Sequence, residues 1–201
     1  MVVLSGELFD AIEVNAARTG NHKRAAVRMS RLAVQATLPP PASPGSISRA
    51  EAHMRAGEQW LLADEPATAV EEFQAAIADA GPTFDDPLVS LARAMFVLDR
   101  PEEAAVLLRE LTETGGRSQP RKCDLVAELL TEQGDLNGAL GWATAGVDAC
   151  LRGDDRDELQ LLLRLRYRIR VDLALPEDDY DKLLDNQNNA DNRKAGPAAG
   201  S

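Results

Sequence analysis

Few side chains in this sequence could do chemistry, and their spacing keeps them apart. His22 and His53 are the only histidines. Neither stands near a serine in a pattern that would activate a nucleophile, and two histidines on separate segments make a poor metal site. Cys123 and Cys150 are the only cysteines. Two thiols give neither a disulfide framework nor a metal quartet, so buried inert thiols are expected. The paired acids Glu71-Glu72, Glu102-Glu103 and Asp178-Asp179 have the spacing of solvated helix faces rather than of an acid and base across a substrate. Glycines lie singly or as Gly115-Gly116, so no phosphate-cradling loop is present. No catalytic residue, cofactor site or metal site is expected.

Charge narrows the partners. Residues 1–48 carry five basic and three acidic side chains, a net +2, and the remainder carries −13 of the total −11. An acidic body repels nucleic-acid backbone and anionic membrane, which argues against both as the main partner. The basic run from Lys23 to Arg31 is the local exception: a phosphate-binding patch or a solvated helix face. No stretch approaches the roughly 20 apolar residues that span a bilayer. The opening residues Met1 to Glu7 have no basic, apolar leader pattern, so a cytoplasmic protein is expected. The Ala-, Arg- and Asp-rich composition is of high-GC bacterial style.

These side chains must be positioned by helices. Aromatic residues make up only 4% of the chain, so the core must be built from Ala, Leu and Val, the first two being strong helix formers. Breaks fall at Gly20-Asn21, Asp64-Glu65-Pro66, Gly81-Pro82, Asp99-Arg100-Pro101, Gly115-Gly116, Gly134-Asp135 and Gly153-Asp154. Apolar residues recur at three- and four-residue spacing between them, so each helix has one face to bury. The alternation from Arg164 to Val171 could alone be an edge strand. Its continuation from Leu159 to Leu163 makes one helix the better account.

Three turns repeat. Ala69, Ala104 and Ala139 follow Asp64-Glu65-Pro66, Asp99-Arg100-Pro101 and Gly134-Asp135-Leu136 at a constant interval of 35 residues. Upstream and downstream of each turn the residue types also repeat. They are His53, Ala56-Gly57, Trp60, Phe73 and Ala76; then Leu88, Leu91-Ala92, Met95, Leu108 and Leu111; then Cys123, Val126-Ala127, Leu130, Ala143 and Gly146. Small residues at matching positions let paired helices cross closely while larger neighbours fill the gaps.

This period and pattern resemble the tetratricopeptide repeat (TPR) family. The resemblance implies an all-α, right-handed α-solenoid of antiparallel helix pairs. Three units are expected over 49–153 (50–83, 85–118 and 120–153). A degenerate helical pair occupies 1–37, where Glu13 falls at a position that is small in the other units. A Pro-rich linker or loop covers 38–48, capping helices cover 154–185, and a disordered tail covers 186–201.

In that family the first helix of each pair lines a concave surface that holds a partner. Carried over position by position, the groove would present Met54, Glu58 and Leu61, then Val89, Arg93 and Phe96, then Asp124, Glu128 and Thr131. The last helix would add Leu159, Leu163 and Arg166. Glu58 and Glu128 stand where a clamp for a C-terminal carboxylate would carry asparagine, so that mode of binding is not expected. The mixture of apolar and acidic residues suits an amphipathic or basic helix, or an extended peptide. Packing against neighbouring helices, or against a second copy of the chain as a homodimer, competes for the same residues. The function implied is a non-catalytic protein-interaction scaffold. The alternatives are a regulatory sensor controlling transcription or signalling, with 1–37 as the space for an output module, and an accessory subunit of an enzyme complex.

Overall fold

The computed structural model describes residues 4–36, 44–153 and 155–185. The tail 186–201 and most of the Pro-rich segment lie outside them. Nine α-helices follow in chain order among the described residues: α1 (Gly6–Thr19), α2 (His22–Gln35), α3 (Arg49–Leu62), α4 (Pro66–Asp79), α5 (Pro87–Val97), α6 (Pro101–Glu113), α7 (Pro120–Glu132), α8 (Leu136–Gly153) and α9 (Arg156–Asp172). One 3-10 turn, Gly116–Ser118, precedes α7, and 179–185 are again helical. No strand forms among the described residues, and the alternating stretch lies within α9.

The helix starts follow from the sequence. Pro66, Pro87 and Pro120 open α4, α5 and α7 at the position where a missing N–H costs nothing. Ser48 caps α3, its Oγ accepting from the Glu51 N–H at 2.8 Å, and Asp86 and Asp155 cap α5 and α9 in the same way.

The repeated turns share one backbone geometry. Asp64, Asp99 and Gly134 take left-handed φ of 60°, 57° and 78°. The next N–H donates back to the carbonyl five residues upstream: Glu65 to Trp60, Arg100 to Met95 and Asp135 to Leu130, each at 2.9 Å. This is the six-residue closure that ends helices. The same closure recurs once more. Ala174 has φ 53° and the Leu175 N–H donates to Arg170 O at 3.0 Å. Thus α9 ends as α3, α5 and α7 do, and the helical stretch at 179–185 follows as its return helix.

The chain divides into two compact units, 1–111 and 112–201. In the first, α2 packs on α3, α3 on α4 and α4 on α5, while α1 and α5 also touch α3. In the second, α7 packs on α8, α8 on α9, and α7 on α9. Helices meeting only near neighbours in sequence are the pattern of a repeat protein. Ala69, Ala104 and Ala139 are fully buried, as are Ala92 and Ala127. A Cβ built on Gly57 would clash with the edge of the Phe73 ring, and one on Gly146 would lie 2.7 Å from the Cys123 Cβ. Both glycines are therefore points of closest helix approach.

The Pro-rich segment is not a free linker at its C-terminal end. The Gly6 N–H donates to Gly45 O at 2.8 Å and the Ile47 N–H to Leu4 O at 3.0 Å, leaving one isolated bridge between Ser5 and Ser46.

Candidate functional site

The acidic first-helix positions gather in the first unit. Asp10 and Glu13 on α1, Glu51, Met54, Arg55 and Glu58 on α3, and Phe84 and Asp85 before α5 line one cleft of about 340 Å3. Met54 is buried and forms its floor, while Phe84 is 80% exposed at its rim.

Arg55 organises one wall. Its Nε donates to Glu13 Oε1 at 2.6 Å and its Nη2 to Asp10 Oδ1 at 2.6 Å. Nη2 also reaches Glu13 Oε2, and the guanidinium lies 5.6 Å from the centre of the Phe9 ring. The hydrogen bond to Glu13 is the main reason the Arg55 pKa is raised. Glu51 Oε2 accepts from the Phe84 N–H at 2.9 Å, which ties the loop before α5 to α3.

Glu58 has no such partner among these contacts. Glu58 is an exposed residue that lines the cleft. Enclosure by the walls first, then the charges of Glu13, Asp85 and Glu51, push its pKa up to about 7. The cleft therefore holds five carboxyl groups against one guanidinium, with Arg55 already occupied. The carboxyl groups are spread around the walls. Among the described residues no group of three or more His, Cys, Asp or Glu side chains could hold a metal ion.

The residues expected to face the groove divide by exposure. Met54 and Glu58 line the cleft, and Leu61, Arg93 and Phe96 are half-buried. Val89 is buried and offers a partner little surface. In the second unit Glu128 is exposed, Thr131 Oγ1 donates to Ala127 O at 2.7 Å, and Asp124 is buried beside Arg121, 3.5 Å away.

The register carried onto α9 needs correction. Leu159, Leu163 and Arg166 are buried. Arg166 is committed inward: its Nε donates to Thr144 Oγ1 at 3.1 Å, its Nη2 to Asp178 Oδ2 at 2.5 Å and its Nη1 to Asp181 Oδ1 at 3.4 Å. Counting back from the left-handed residue of the closing turn, Arg164, Arg168 and Val171 occupy the places of Asp124, Glu128 and Thr131. All three are exposed. The sequence signal was the order Ala174-Leu175-Pro176, which matches Asp64-Glu65-Pro66 and Asp99-Arg100-Pro101.

Asp10, Glu13, Glu51, Arg55, Phe84 and Asp85 were also missed as cleft residues. Glu13 had marked itself by standing where the other units carry Gly57, Ala92 and Ala127. The histidines are structural. His53 Nδ1 lies 2.7 Å from Glu72 Oε2 between α3 and α4. His22 is the first residue of α2, with Nδ1 3.0 Å from Gln59 Oε1. Cys123 and Cys150 are both buried and free.

The class that fold and turn geometry define is an all-α repeat protein of antiparallel helix pairs. No family model matches the chain, and no curated protein does. Among solved structures it is similar to YrrB, described as a TPR protein with an unusual peptide-binding site. The identity is 16%, with 78% of this chain and 82% of that chain covered and a TM-score of 0.40. No helix among the described residues is long and apolar enough to cross a membrane.

Proposed function

We propose that the chain is a non-catalytic interaction scaffold whose first unit holds a partner segment presenting a basic side chain beside an apolar one. The carrying observation is the cleft itself, in which Glu13, Glu51, Glu58 and Asp85 surround a floor of Met54 and the exposed ring of Phe84. A lysine or arginine entering it would meet Glu58, a carboxyl that Arg55 does not bond, while Phe84 would cover the neighbouring apolar group or stack on the cation. Leu61, Arg93 and Phe96 would extend the surface on the same unit, with Glu128 and Thr131 as the corresponding face of the second. We take α1 and α2 as a degenerate first repeat, so that residues 1–37 carry no output module.

The test is fluorescence anisotropy of the full chain with a labelled Leu/Lys amphipathic peptide. Saturable binding that Glu58→Lys and Phe84→Ala each weaken supports the reading. Binding indifferent to both substitutions, or no binding, overturns it.

A further inference from the structure

The opposite charge lies on a different face of the first unit. A half-open crevice of about 360 Å3 runs between α1 and α2, with Leu8, Ala11 and Ile12 on one wall, Ala25 on the other, and Arg24 and Arg28 on its rim. In the neighbouring pair Gly57 lets α3 and α4 close on Phe73. The matching position on α1 is Glu13, a long carboxylate turned toward Arg55 on α3.

Arg24, Arg28 and Arg31 fall at i, i+4 and i+7 on α2 and are all exposed, so they form one stripe along the rim. Among the described residues none of the three has a carboxylate partner. Three other arginines of this unit are matched, Arg49 with Asp79, Arg55 with Asp10 and Glu13, and Arg100 with Glu103, while Arg18 bonds only the neutral Asn15. The adjacent Lys23, on another side of α2, pairs with Glu65 at 2.5 Å.

We propose that this face docks an acidic amphipathic helix of a partner protein. Its apolar stripe would enter the crevice over Leu8, Ala11 and Ile12, and its carboxylates would pair with Arg24, Arg28 and Arg31. The dimensions fit: the arginine stripe and the wall from Leu8 to Asn15 each extend about 10 Å along their helices, two turns of a third helix. A groove open along its length suits a helix packed ridge into groove better than a small ligand, which needs enclosure on most sides. The net charge of −11 disfavours an anionic membrane or nucleic acid at long range, whereas a helix needs only this local stripe. The proposal stands independently of the acidic cleft.

The experiment uses the full chain and a labelled Leu/Glu amphipathic peptide with glutamates at i, i+4 and i+7 beside its leucine stripe. Saturable binding is expected, weakening with added salt. Joint Arg24→Glu and Arg28→Glu substitution should weaken it about tenfold or more. Ala11→Trp, at an exposed position, should block the crevice, and Glu58→Lys should leave affinity unchanged. Hydrogen exchange should slow in α1 and α2 on binding, and circular dichroism confirms that each variant folds. Absence of saturable binding, or binding unaffected by arginine reversal and by Ala11→Trp, overturns the proposal. So does retention of octanoate or phosphatidylserine vesicles, but not the peptide, through the same arginines. Self-association abolished by the arginine reversal would also overturn it, making the occupant a second copy.

Discussion

The Arg55 guanidinium on α3 spans the Glu13 carboxylate on α1, with Nε 2.6 Å from Oε1. The pair does two things at once. It ties α1 to the repeat body, and it neutralises one of the carboxyl groups of the cleft. Arg55→Met keeps most of the stem but strips the charge, leaving Glu13, Asp10 and Glu58 to repel one another. We expect a loss of about 1–3 kcal/mol in urea unfolding. In a double-mutant cycle Glu13→Gln should recover part of it; additive losses would show that the pair is not coupled.

Glu58 supplies a pH signature. Its pKa of about 7, against an ordinary 4.5, means that the folded chain prefers the neutral carboxyl. That preference stabilises the fold fully below the ordinary value and is lost as pH rises through about 7. Binding has the opposite sign. A basic peptide selects the ionised form, so its affinity should rise between about pH 5.5 and 8, with uptake of one cation coupled to release of up to about one proton. Glu58→Gln should flatten the curve, and Arg55→Met should move its midpoint upward. An anisotropy titration with a pH-independent wild type would refute the assignment.

Gly57→Ala tests the close crossing of α3 and α4. In an open helix the change would gain roughly 0.5–1 kcal/mol. Here the methyl meets Phe73, and about 1–3 kcal/mol should be lost instead, with Phe73→Leu restoring part. Gly153→Ala, where the added carbon meets nothing within 4 Å, is the control. Ala104→Leu should cost a similar 1–3 kcal/mol by overpacking. The sign of the Gly57 effect in thermal unfolding decides the matter.

The two thiols should be silent in the native state. Burial pushes both Cys123 and Cys150 up to about 11 from an ordinary 9.0, so little thiolate exists near pH 8. Reaction with a disulfide reagent should be slow in buffer and fast in urea. Rapid native labelling of either residue would contradict its burial.

The second unit has its own acid limit. The hydrogen bond from Arg166 holds Asp178 down to about 2, from an ordinary 3.8. A depressed carboxylate stabilises above its unfolded pKa, and that stability disappears as pH falls toward 2. Trp142 fluorescence in a Trp60→Phe background, which reports on this unit, should show that Asp178→Asn abolishes this part of the acid dependence while lowering stability at neutral pH. An unchanged acid limb would remove the ion pair from the account.

Much of the fold was legible because it is local. Proline at helix starts, small residues at crossings and the 35-residue interval between Ala69, Ala104 and Ala139 each act within one helix pair, so a linear pattern suffices to read them. The extra closing turn at Ala174 was harder, because alanine is a poor marker of a left-handed residue. Carrying the groove positions onto α9 without aligning that turn shifted the register and exchanged exposed Arg164 and Arg168 for buried Leu163 and Arg166.

What the sequence determined by itself was the helical repeat, its phase and the scarcity of catalytic groups. What only the tertiary structure decided was which charges meet. Asp10, Glu13, Glu51, Glu58 and Asp85 come from three separate segments, and nothing along the chain says that they share a cleft, or that Arg55 would be consumed by two of them. The same holds for Arg24, Arg28 and Arg31. Their spacing made a stripe, but only the packing of α1 against α2 decided that the stripe would edge an open crevice.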